Sequence, residues 1–116
     1  MNLTQLAQNV GLEPEEFSEI FEIYAETTST DLEELRAAMN AGDAEKAHEK
    51  AHSIKGASGN LGLMELYELS KEIDDNVRAG KVRGLEGLME RLTAKYENLL
   101  EEFQRSSRAI QGECDA

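Results

Sequence analysis

The chain has 116 residues, 40% of them hydrophobic, with 24 acidic and 12 basic side chains and a net charge of −12. That is enough apolar material for one compact domain, and too much negative charge for nucleic acid or an anionic membrane to be the expected partner. No apolar run approaches the roughly 20 residues that span a bilayer, MNLTQLAQNV lacks the features of a signal peptide, and Cys114 has no second cysteine to pair with, so a cytoplasmic protein is expected.

The hydrophobic period is helical almost throughout. A short amphipathic segment carries Leu3, Leu6, Ala7 and Val10 and ends at Gly11. Pro14 suits the first turn of the next helix, and Glu15 and Glu16 suit its positive end. Its apolar stripe is Phe17, Ile20, Phe21, Tyr24, Thr28, Leu32, Leu35 and Met39, and Asn40-Ala41-Gly42 stops it. Asp43 is placed to cap a third helix that runs to about Leu61. A fourth carries Leu66, Leu69, Ile73 and Val77 and ends at Ala79-Gly80. The last carries Leu85, Leu88, Met89, Leu92, Tyr96, Leu99 and Phe103. The class is therefore all-α, an antiparallel four-helix bundle with a short extra N-terminal helix. The domain is expected over residues 1–105, with 106–116 as a flexible C-terminal tail.

The third helix holds both histidines, within His48-Glu49-Lys50-Ala51-His52-Ser53-Ile54-Lys55-Gly56-Ala57-Ser58-Gly59-Asn60. On a helical wheel with His52 at zero, Ala47, Ala51, Ile54, Ser58 and Leu61 form the core stripe, about 180–260° away. His48, Lys55, Gly56 and Gly59 fall within about 60° of His52. That face points outward, so His52 is read as exposed. Each glycine inside a helix costs about 0.8–1.0 kcal/mol relative to alanine. Two on the histidine's face suggest a surface kept clear for a partner; the plainer readings are helix termination or close helix packing, and the outward direction of the face argues against close packing. Lys55, at i+3, is placed to stabilise an anion attached to the His52 ring. A neutral exposed imidazole is a competent nucleophile near pH 7.

His48 to His52 also spells H-E-x-x-H, the zinc-protease pattern. A catalytic zinc needs a third protein ligand and an open position, yet the chain has two histidines and one tail cysteine. No metal site is therefore expected. E-x-x-H occurs twice, at Glu45/His48 and Glu49/His52, but on one helix, whereas di-iron bundles place it inward on two.

Ala51 to Gly62 (AHSIKGASGNLG) resembles the phosphoacceptor motif of histidine-containing phosphotransfer (HPt) domains, roughly A-H-x-[LI]-K-G-x-[SA]-x-x-[LIVF]-G. The resemblance covers about residues 2–105 and implies a four-helix bundle. It also implies that His52 accepts a phosphoryl group on Nε2 from a receiver phosphoaspartate and passes it to a second receiver. Lys55 would screen the charge and Gly56 would leave room for the docking receiver. Gly59 shares that face as a further docking position, and His48 borders it, the plainer reading of His48 being an exposed bystander. Asp74, 22 positions after His52, would hold the other nitrogen of the His52 ring. The alternative is a solvated surface acid. The implied partners are response-regulator receiver domains or a sensor histidine kinase. No cofactor is intrinsic, Mg2+ comes from the receiver, and a free-standing monomer acting as a carrier rather than an independent enzyme is expected. A rival reading is the phosphoacceptor domain of a chemotaxis-type kinase, phosphorylated from ATP by a separate catalytic domain.

Overall fold

The structure, a computed structural model, describes residues 3–115, with side chains for residues 4–106. Helix α1 spans Leu3–Asn9, α2 Pro14–Ala41, α3 Ala44–Asn60, α4 Met64–Arg78 and α5 Glu86–Asp115. No strand is present among the described residues, and none of their helices is long and apolar enough to cross a membrane.

The boundaries follow local chemistry. Pro14 opens α2, and the Glu13 backbone N–H donates to the Glu16 carboxylate at 3.0 Å, which satisfies a donor that the helix start would otherwise leave bare. Gly42 ends α2 in the left-handed region (φ 72°), where a side chain would be strained. Asp43 then caps α3, its carboxylate accepting the Lys46 N–H at 3.1 Å. Gly62, at φ 71°, makes the equally tight turn into α4. Helix α5 continues past Ser106, and most of the expected tail lies where side chains are outside the described residues.

Neighbours in sequence are neighbours in space. Helix α2 packs on α3, α3 on α4 and α4 on α5, while α5 returns to α2 and α1 packs against α2 and α5. The core-facing residues of α3 are mostly small, with Ala47, Ala51 and Ser58 fully buried beside Ile54. Small side chains let α3 lie close between α2 and α4, and this position fixes the site. On α2 the apolar stripe is narrower than the sequence suggests, for Ile20 is 41% exposed while Phe17 and Phe21 are fully buried. Polar ties cross the core as well. The Tyr24 hydroxyl meets Ser58 Oγ at 2.9 Å, and Tyr96 donates to the Ala25 carbonyl at 2.7 Å.

Burial pushes the Tyr24 phenol up from 10.0 to about 12. Below pH 10 the phenol is neutral in both folded and unfolded chains. Above it the unfolded chain ionises first, so stability falls from about pH 10 until the folded phenol also ionises near 12. A difference of that size is about 2.7 kcal/mol. Urea midpoints should therefore decline over this window, and Tyr24→Phe should flatten the decline. An unchanged slope in the variant would contradict the assignment to Tyr24.

Candidate functional site

His52 lies on the outward face of α3, exposed, in the third turn of the helix. Among the described residues it makes no hydrogen bond or ion pair, and its nearest aromatic neighbour is His48, with ring centroids 5.8 Å apart. Neither ring nitrogen is therefore committed. Gly56, one turn on, is also exposed, and a Cβ built there would meet nothing within 4 Å. Together they form a nucleophile beside bare backbone.

Asp74 departs from both sequence readings. It is fully buried, not a solvated acid, and it bonds His48 rather than His52. Its Oδ1 accepts from His48 Nδ1 at 2.5 Å, and its Oδ2 accepts from Lys55 Nζ at 3.5 Å. The reason is where α4 crosses. On the wheel His48 and Lys55 lie to one side of His52, about 40° and 60° round, and that side faces α4. Helical side chains lean toward the N-terminus, so Lys55 reaches back along α3 to the same carboxylate that holds His48. The imidazole that Asp74 orients is thus His48, whose side chain is 43% exposed.

Gly59 also differs from its expected role. A Cβ there would come within 3.1 Å of the Tyr67 ring on α4. It serves close packing between α3 and α4, the reading that the outward direction of the face argued against. The two glycines should therefore respond differently. Gly56→Ala should stabilise the fold by about 0.8–1.0 kcal/mol through helix propensity. Gly59→Ala should gain less, because Tyr67 must shift. Equal gains in thermal melts would contradict this assignment.

The opposite flank of α3 is held by α2. Ser53 Oγ donates to Asp31 Oδ2 at 2.8 Å, while Lys50 pairs with Glu34 at 2.6 Å and approaches Asp31 at 3.8 Å. The Lys50 ammonium, hydrogen-bonded to Glu34, lowers that carboxyl's pKa, and the same bond raises the pKa of Lys50. Sequence reasoning did not select Asp31 or Ser53. A signal for Asp31 existed, since it adjoins Leu32 between Thr28 and Leu35 on the buried stripe. His52 thus stands between two carboxylate anchors, Asp31 on α2 and Asp74 on α4. Among the described residues, no group of three or more His, Cys, Asp or Glu is placed to hold a metal ion.

A model of the Hpt domain family matches residues 19–105. The chain belongs to the Hpt domain family. The matched span takes in most of α2, all of α3 and α4, and α5 to Arg105, and so includes both carboxylate anchors of this Hpt domain. The structure is similar to the crystal structure of histidine-containing phosphotransfer protein B (HptB) from Pseudomonas aeruginosa PAO1. The TM-score is 0.77 and the identity 27%, over 89% of this chain and 90% of that one. A comparison with curated proteins gave no match. The chain is accordingly a histidine phosphotransfer carrier of the phosphorelay type, a class that works with response regulators or kinases in two-component signalling.

Proposed function

We propose that His52 is the phosphoacceptor, and that the Hpt domain relays the group between aspartates of response-regulator receiver domains. The observation that carries this reading is the uncommitted, exposed imidazole of His52 beside the open backbone at Gly56. The helix contacts support an antiparallel four-helix bundle as the frame that presents this face.

In the accepting step the Nε2 lone pair of neutral His52 attacks the phosphorus of an aspartyl phosphate. An N–P bond forms as the P–O bond to the aspartate breaks, and the receiver keeps its carboxylate. Transfer onward reverses these bonds. Phosphoryl transfer depends mainly on positioning and charge stabilisation, so a small helical surface suffices. Lys55 supplies positive charge from α3, and Gly56 lets the receiver approach. The receiver brings the magnesium ion and its acidic pocket.

The test is incubation with a phosphorylated receiver and, separately, with ATP and a histidine-kinase catalytic domain. The relay reading predicts acid-labile label passing from the receiver to this chain and onward to a second receiver. Label that arrives only from ATP would replace it with the kinase-fed alternative. A bulky Gly56→Trp substitution should keep the fold yet slow receiver transfer by about a hundredfold, as misplacement of reacting groups does. Unimpaired transfer in that variant would remove Gly56 from the docking surface.

A further inference from the structure

The pairing of Asp74 with His48 leaves Lys55 with two competing duties. We propose that His48 is a positioning residue for the chemistry at His52: by holding Asp74 through its Nδ1–H, it releases Lys55 from that carboxylate to meet the phosphoryl group. This rests on the reading of His52 as phosphoacceptor.

Asp74 is 0% exposed, so water cannot replace a partner that leaves. A buried carboxylate without a donor is strongly disfavoured. Each of its oxygens has one partner, and the two are unequal: His48 at 2.5 Å and Lys55 at 3.5 Å. The lysine contact is the looser. It is also looser than the other lysine pairs on these two helices, Lys50 with Glu34 at 2.6 Å and Lys71 with Asp75 at 3.2 Å.

A phosphoryl group on His52 adds nearly two negative charges; of the lysines on α3 and α4 that have a carboxylate partner, Lys55 is one turn away and holds its partner most loosely. Lys55 is the one most easily recruited. When it turns to the phosphoryl group, Asp74 keeps only His48. That bond survives in either charge state of the ring, because Nδ1 carries a proton in both the Nδ1–H tautomer and the imidazolium. Without His48, Lys55 would be Asp74's sole partner and would stay with it. His48 touches no reacting atom in this account. It acts through Asp74 on Lys55.

The experiment uses the full chain and a phosphorylated receiver, and measures the acceptance rate and the labelled fraction at equilibrium. His48→Ala should lower acceptance about tenfold, the scale of one hydrogen bond to a charged group. His48→Asn, whose amide can donate from nearly the position of Nδ1, should recover most of the loss. Lys55→Ala should match His48→Ala, and the double variant should be no worse than either. Wild-type acceptance by His48→Ala, or an undiminished His48 effect in the Lys55→Ala background, would overturn the proposal.

Should His48→Ala fail to fold, NMR of the wild-type side chains before and after phosphorylation by phosphoramidate decides. The Lys55 ammonium signal should move while the His48 Nδ1–H signal stays. A stationary Lys55 signal on a phosphorylated His52 overturns the proposal and leaves the phosphoacceptor reading intact. A wild-type protein that takes no label on His52 overturns the phosphoacceptor reading itself and the role of His48 with it.

Discussion

His52→Gln is expected to take up no phosphoryl group from any receiver, with acceptance down about a thousandfold or more, as when a covalent nucleophile is removed. Glutamine keeps a polar side chain of similar reach but has no nucleophilic lone pair on nitrogen. Its melting temperature should stay within about 2 °C of wild type, because an exposed side chain without bonded partners contributes little to stability. That combination separates chemistry from folding. Label retained at wild-type level would mean that another side chain is the acceptor. Full loss of label together with a large drop in stability would mean that His52 has structural contacts absent from this arrangement.

Phe21→Ala should do the reverse. Phe21 is fully buried and stacks on Phe103 of α5, with ring centroids 4.1 Å apart, and on Phe17 at 6.0 Å. Its ring also meets Tyr24 at 5.5 Å. Removing a buried phenylalanine costs about 3–5 kcal/mol in lost transfer energy and cavity formation, a large share of the stability of a small domain. The melting temperature should fall by roughly 10–20 °C. Below the new transition, phosphoryl acceptance should be close to wild type, since the ring partners of Phe21 are Phe17, Tyr24 and Phe103, while the ring partner of His52 is His48. A shift of only a few degrees would mean that the stack does not hold α2 to α5. A loss of acceptance in folded protein would mean that the packing at this end of α2 reaches the site.

The helices were largely legible because their signals are local. Pro14, Gly42 and Asp43 mark ends by backbone geometry and capping, and both can be read from neighbouring residues. The exposed position of His52 was legible for a similar reason, since a 3.6-residue period places it opposite Ala51, Ile54 and Ser58. The partners of the site were not. A wheel treats the two flanks of the histidine face as equivalent, and only the crossing of α4 makes them different. Hence Asp74 could be counted from His52 along the chain, yet its carboxylate meets His48 and Lys55. The packing at Gly59 was hidden in the same way, because Tyr67 approaches from another helix. Asp31 and Asp74 share a sequence sign that points beyond solvation: each adjoins a core residue, Leu32 or Ile73, on the buried stripe of its helix. A charged residue in that position needs a partner, but the sequence does not say which.

The central claim is that His52, and not the better-anchored His48, carries the phosphoryl group. Phosphorus NMR of the full chain after exposure to a phosphorylated receiver tests it most directly. The predicted result is one phosphohistidine resonance, coupled to the ring protons of His52 through Nε2 and absent from His52→Gln. A resonance coupled to the ring of His48, or one that persists in His52→Gln, would contradict the account.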